Sequence, residues 1–103
     1  MQIQIRWTEV ENSEALGSHI KEQVKHALRH FPERFTRVDV HVHDENGGKS
    51  GANDKRCVIE ARPAGFEPLS VDAAGDDYYL TVTAAAKKLE RAAQHLVDKH
   101  RDH

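Results

Sequence analysis

The sequence predicts an α+β domain in the order β-α-β-β-β-α, a four-stranded mixed sheet with two helices packed on one face. Three observations predict it. Four segments alternate apolar and polar residues, as half-buried strands do. Two longer segments repeat apolar residues three and four apart, as amphipathic helices do. Each alternating segment has a single apolar face, so both helices must cover the same side of the sheet. A chain of 103 residues has room for one domain, residues 1–103, with one modest core.

The first strand is Ile3, Ile5 and Trp7 alternating with Gln2, Gln4 and Arg6. That alternation leaves no apolar h-region, which argues against a signal peptide. Asn12-Ser13-Glu14 precedes a helical pattern, with Ser13 as the N-cap. Leu16, Ile20, Val24, Ala27, Leu28 and Phe31 recur at helical spacing, and Pro32 ends the helix at or near Phe31. Phe35 is expected to tuck back onto the core from the connecting turn. Val38, Val40 and Val42 alternate with Asp39, His41 and His43 to give the second strand.

Residues 44–54 contain Asn46-Gly47-Gly48 and Gly51-Ala52-Asn53-Asp54, which predicts a long, flexible hairpin loop. The third strand turns Cys57, Ile59 and Ala61 inward and Arg56, Glu60 and Arg62 outward, with Val58 exposed on a one-sided sheet. A turn spans Pro63 to Pro68, and Leu69, Val71 and Ala73 form the fourth strand. The first two strands, joined by a helix, should be parallel with a right-handed crossover; the other neighbours, joined by turns, should be antiparallel.

The last stretch, Asp77 to His103, is the second helix. Asp76 or Asp77 supplies its N-cap. Tyr79, Val82, Ala86, Leu89, Ala93 and Leu96 stay within about 60° of one direction at 100° per residue. Lys88, His95 and Lys99 lie together roughly 100–140° to one side, and Arg91 lies opposite the core. Tyr79 is assigned to the core and Tyr78 to the surface.

Charge divides the chain. The net charge is −2 with neutral histidines, which argues against a generic, strongly basic nucleic-acid binder. Yet residues 17–37 carry +3 and residues 78–103 carry +2, while residues 38–77 carry −5 and residues 1–16 carry −2. Both helices are basic and the rest is acidic, a field that steers an anionic partner to one side. No apolar run is long enough for a transmembrane helix, and the single cysteine fits a reducing cytoplasm.

Catalytic and metal chemistry find little support. His26 and His30 are four apart, and His41 and His43 share a strand face, but neither pair has a cysteine or carboxylate at a recognised spacing. There is no HExxH, no CxxC, no glycine-rich phosphate loop and no Gly-x-Ser-x-Gly elbow. Cys57 reads as a small core residue. The outward sheet positions hold Gln, His, Arg, Glu and Asp, so the sheet is no aromatic platform for stacking bases. We therefore expect no catalytic residue, no metal and no cofactor. The strongest constellation is electrostatic: Lys87, Lys88, Arg91, His95 and Lys99 on one helix, with Lys21, Lys25, Arg29, His19, His26 and His30 on the other. Adjacent helices would merge these flanks into one phosphate-binding surface.

Several short motifs carry a resemblance across nearly the whole chain. They are the opening Met1-Gln2-Ile3-Gln4-Ile5, Val10-Glu11 followed by Ser13-Glu14-Ala15-Leu16, Asp77-x-Tyr79, and Lys88-Leu89-x-Arg91. Together they resemble the ribosome hibernation-promoting factor and ribosome-associated inhibitor A family, also called the sigma-54 modulation protein family, in its short form. The resemblance implies the same β-α-β-β-β-α order. It also implies a cytoplasmic, non-enzymatic stress factor, monomeric off the ribosome, that lies in the small subunit's messenger and transfer RNA channel and keeps ribosomes inactive. Its partners would be the small subunit and its RNA, with no membrane and no small-molecule substrate.

Carried over by position, Lys88, Arg91, His95 and Lys99 match basic positions of the family's second helix, and Asp77 and Tyr79 match its helix-start pair. The RNA-binding set expected here is Lys25, His26, Arg29, Lys87, Lys88, Arg91, His95 and Lys99. The chain departs from the pattern at Gly17, Gln23 and His26, where the family usually has Arg or Lys, and at His95. The turn from Pro63 to Pro68 looks longer than usual. Histidines in place of fixed charges predict tighter ribosome binding below about pH 6.5. Two other readings stay open: a divergent member that binds another RNA or a protein partner, and a small enzyme or metal protein resting on the scattered histidines.

Overall fold

The computed structural model describes residues 1–45 and 54–101. The elements are β1 (Gln2–Thr8), α1 (Glu14–Ala27), β2 (Phe35–Asp44), β3 (Lys55–Pro63), β4 (Leu69–Gly75) and α2 (Tyr78–Arg101), in the predicted order. The sheet runs β1-β2-β3-β4, with β1 parallel to β2 and the other neighbours antiparallel.

Register aligns the alternating residues into transverse rows. Ile3-Val38-Ala61-Leu69, Ile5-Val40-Ile59-Val71 and Trp7-Val42-Cys57-Ala73 cross the inner face. Gln4-Asp39-Glu60-Ser70 and Arg6-His41-Val58-Asp72 cross the outer one. The central strands contribute fully buried Val38, Val40, Val42, Cys57, Ile59 and Ala61. Leu16, Ile20, Val24 and Ala27 of α1 and Val82, Ala85, Ala86, Leu89 and Ala93 of α2 close over them. The alanines on α2 let it approach both the sheet and α1 closely.

The caps follow local chemistry. Ser13 Oγ accepts the Leu16 N–H at 3.2 Å, and Asp77 Oδ1 accepts the Leu80 N–H at 2.9 Å. Gly75 marks a close approach: a Cβ there would lie 2.6 Å from the buried Thr81 Oγ1.

Three expectations need correction. First, α1 ends at Ala27, short of Phe31. Leu28 has already left helical geometry at φ −107°, ψ 17°, and the chain tightens through Arg29 N–H to His26 O and Phe31 N–H to Leu28 O. The apolar spacing continues in space because Leu28 and Phe31 still pack on the core. Second, Phe35 lies inside β2, buried and paired with Pro63 ahead of a register shift. Third, the tyrosines exchange roles: Tyr78 packs on the core, while Tyr79 is 43% exposed. Tyr78 precedes Val82 by four residues and shares its side, whereas Tyr79 falls at the margin of the stripe. The predicted hairpin loop falls on residues 46–53, outside the described residues. Its base is closed by Glu45 N–H to Asp54 O at 2.9 Å and by Lys55, which reaches the buried Asp44 and Asp54 at 3.4 and 3.0 Å.

Candidate nucleic-acid interface

The two helices run side by side in the same direction. His19 meets Tyr79 and Thr83 near their starts, and Arg29 meets Glu90 further along. This follows from the topology, because each helix returns antiparallel to the strand before it. The parallel arrangement places acids by both helix starts and mostly bases by both helix ends, with Glu33 and Asp98 also at those ends. Glu9, Glu11, Glu14, Asp76 and Asp77 stand near the helix N-termini, while Lys25, Arg29, His30, Arg34, His95 and Lys99 stand toward the C-terminal ends. Each sign suits the helix dipole it faces. The uneven charge is thus resolved along the helix axes as well as between helices and sheet.

Between the helices lies a shallow groove lined by Glu22, Gln23, His26, Ala27, Ala86, Lys87 and Glu90. Lys25, Lys87 and Arg91 are exposed and form no ion pair among the described residues. Arg29 is different: its Nη1 donates to Glu90 Oε2 and to the His26 carbonyl, both at 2.8 Å. His19 is also engaged. Its Nε2 donates to the Tyr79 carbonyl at 3.2 Å and lies 3.3 Å from Thr83 Oγ1, with its ring centroid 5.0 Å from that of Tyr79. It clamps α1 to the first turns of α2 and is half-buried there.

The other cationic flank of α2 turns away from α1, which corrects the expectation of one merged surface. Lys88 Nζ donates to the Asp72 carbonyl of β4 at 2.7 Å. His95 and Lys99 border a separate cleft against residues 65–69. The physical reason is that α2 lies over β3 and β4, so its two flanks face different neighbours. The eight predicted residues therefore divide. His26 and Lys87 line the helix-pair groove, with Arg29 held beside it by Glu90; Lys25 and Arg91 are exposed on their helices outside that groove; Lys88 is tied to the sheet edge; His95 and Lys99 sit beyond it.

The outer sheet face is more self-compensated. Arg37 pairs with Asp39 at 3.1 Å and with Gln4 at 2.7 Å, and Arg56 pairs with Glu45 and Asp72. His41 and His43 stack with centroids 5.0 Å apart, and His41 Nε2 lies 2.7 Å from Thr8 Oγ1. Burial, then His43 and Arg6, hold His41 below the ordinary histidine range. Burial pushes the Cys57 thiol up to about 12, away from nucleophilic chemistry. Among the described residues no three His, Cys, Asp or Glu side chains are gathered to hold a metal. No described helix is long and apolar enough to cross a membrane.

The family model for Sigma 54 modulation protein / S30EA ribosomal protein matches residues 3–101. The chain belongs to that family. Among solved structures it is similar to a ribosomal subunit interface protein from Coxiella burnetii, with a TM-score of 0.79 and 21% identity over 93% of this chain and 97% of that one. It is also similar to the N-terminal domain of Protein Y from Thermus thermophilus, with a TM-score of 0.76 and 16% identity over 93% and 99% of the two chains. At these identities the likeness shows the shared fold. No curated protein matches the chain significantly.

Sequence reasoning about this S30EA-family chain missed two features. Glu90 entered only as a subtraction from net charge, although it sits where it neutralises Arg29. Phe66 was only part of a turn, although it lines the cleft beside His95 and Lys99. The length of that turn, with a phenylalanine between Pro63 and Pro68, was the available signal.

Proposed function

We propose that this protein is a ribosome-associated translation inhibitor of the hibernation type. It acts as one non-enzymatic cytoplasmic domain spanning residues 1–103, monomeric off the ribosome. The paired helices meet phosphates of small-subunit RNA, with Lys25, Lys87 and Arg91 as the principal contacts and His26 and Arg29 beside them. Lys88, His95 and Lys99 extend the contact toward the sheet edge.

The observation that carries this reading is the set of exposed cations without ion-pair partners on two adjacent parallel helices, in a chain of the S30EA family. Phosphate contacts of this kind supply affinity and make it salt-dependent. The similarity to a ribosomal subunit interface protein agrees with a ribosomal partner. Co-sedimentation with purified ribosomes and with isolated small subunits, paired with an in vitro translation assay, tests the proposal. Pelleting with the small subunit that weakens with salt, together with reduced translation, is expected. Pelleting with neither would overturn it.

A second reading has specific support. The Arg29–Glu90 pair and the engagement of His19 by α2 thin the positive field of α1. A member so altered would favour another RNA or a protein partner, and competition between ribosomes and bulk RNA separates the two readings.

A further inference from the structure

β1 ends the sheet. It pairs with β2 on one side, and on the other no described backbone group bonds it. Every second residue of the strand therefore turns its N–H and C=O to solvent, an edge ready to accept another strand. The inner row beside that edge is incompletely covered. Val38, Val40 and Val42 of β2 are fully buried, while Ile3, Ile5 and Trp7 are only half-buried. The reason lies in α1, which packs on α2 and presents Gly17 to the edge. A Cβ there would stand 3.8 Å from Ile5 Cδ1 and Trp7 Cζ2, so the glycine leaves a gap that a side chain would close.

Between β1 and this flank of α1 runs a groove of about 420 Å3. That far exceeds the ~30 Å3 share of one water, so it has room for side chains. Ile3, Ile5, Trp7 and Gly17 line it, with the exposed Glu14 and Lys21 at its rim. Gly17 stands over Ile5 and Trp7, and α1 runs antiparallel to β1, so Lys21 lies toward Ile3 and Glu14 toward Trp7. On the outer face the same edge carries Arg6. Arg6 and Lys21 are exposed and form no ion pair among the described residues.

The occupant follows from these parts together. An RNA strand answers the two cations but supplies no backbone ladder and no apolar side chain. A helix fills the groove but leaves the edge unpaired. A second copy of β1 has no acid to set against Arg6. An extended, acid-bearing protein strand satisfies every part: its backbone extends the ladder, its alternate side chains enter the groove, and its acids meet the cations. Antiparallel pairing is the more stable per residue.

We propose that the β1 edge and its groove bind an extended strand of a partner protein, antiparallel to β1, with an acid beside Lys21, an apolar residue beside Ile5 and a second acid beside Arg6. This surface lies on the flank of α1 away from α2, so it is separate from the helix-pair groove.

Trp7, the chain's only tryptophan, is the reporter. The full chain is titrated with the blocked peptide Lys-Glu-Val-Thr-Glu, whose order sets Val beside Ile5, the first Glu beside Arg6 and the last beside Lys21. Trp7 fluorescence should shift to the blue and saturate. N-methylation of alternate peptide residues should separate two sets. The set facing β1 should weaken binding at least about fivefold, as losing two or more ladder bonds requires, and the other set should be tolerated. Gly17→Leu fills the groove with a better helix former and should weaken binding in a chain that still folds. The double variant Arg6→Glu, Lys21→Glu changes two exposed side chains and should swap the preference toward Lys-Lys-Val-Thr-Lys.

An unmoved Trp7 at millimolar peptide, equal binding of the two methylated sets, unchanged binding in a folded Gly17→Leu, or an unswapped preference would overturn the proposal. A blue shift with rising protein concentration alone would overturn it by placing a second copy at the edge. Tighter binding of a uridine hexanucleotide at Trp7 would overturn it in favour of RNA. No ribosome takes part, so an unmoved Trp7 leaves the ribosomal proposal standing.

Discussion

Replacing Glu90 should strengthen ribosome binding, although removing a salt bridge usually weakens something. Glu90 Oε2 lies 2.8 Å from Arg29 Nη1, and the two side chains are 38% and 41% exposed. An ion pair this open contributes about 0–1 kcal/mol to stability, so Glu90→Gln should melt within a few degrees of the unmodified protein. The consequence at the surface is larger. The substitution removes an acid from the groove that holds His26 and Lys87 and leaves the Arg29 guanidinium available to phosphate. One added phosphate contact steepens the log–log salt dependence by about 0.7–0.9. Going from 200 to 50 mM salt, the variant should therefore gain about threefold more affinity than the unmodified protein. The assay is ribosome co-sedimentation across that salt series, with thermal melts as the folding control. Parallel salt plots, or weaker binding by a normally folded Glu90→Gln, would refute the reasoning and mean that the groove does not face RNA.

Three further outcomes follow from other parts of the molecule. Gly75→Ala should destabilise by about 1–3 kcal/mol in urea melts, because its Cβ would meet Thr81 Oγ1 at 2.6 Å, and Thr81→Ala in the same chain should restore much of the loss. Arg91→Ala should weaken ribosome pelleting more than Lys88→Ala, because the Lys88 ammonium already donates to the Asp72 carbonyl at 2.7 Å; equal effects would show that Lys88 gives up that carbonyl to become a principal contact. Cys57 should resist maleimide until the protein unfolds. Its thiol, raised from 9.0 to about 12, contributes stability that is whole below about pH 9 and lost as pH rises toward 12. Cys57→Ala should therefore lose about 2–3 kcal/mol less than the unmodified protein between pH 9 and 11 in urea melts.

Much of the fold was legible because strand alternation carries its own register. The three apolar rows of the inner face follow once Ile5, Val40, Ile59 and Val71 are placed side by side. Ser13 and Asp77 announced the helix starts through chemistry local to each. The errors came where a distant residue decides. Tyr78 lies on the Val82 side of α2 and Tyr79 at the margin of the apolar stripe. Lys55, with its ammonium 5.6 Å from the Tyr78 ring centroid, and His19 beside Tyr79 complete two environments that local spacing does not contain.

The candidate site was legible as charge but not as geometry. Helical period placed Lys88, His95 and Lys99 on one flank, but only the position of α2 over β3 and β4 shows that this flank faces the sheet edge. Arg29 and Glu90 are 61 residues apart, and their pairing is visible only once the helices are side by side.

The most direct test of the central claim is the salt dependence of ribosome binding by a variant carrying Lys25→Ala, Lys87→Ala and Arg91→Ala together. All three side chains are exposed, so the domain should stay folded. If they meet phosphates, the variant's log–log slope should be shallower by about 2–3. From 50 to 200 mM salt the unmodified protein should then lose about 20–40-fold more affinity than the variant. A folded variant that binds ribosomes with the unmodified slope would contradict the account and remove the helix pair as the RNA-binding surface.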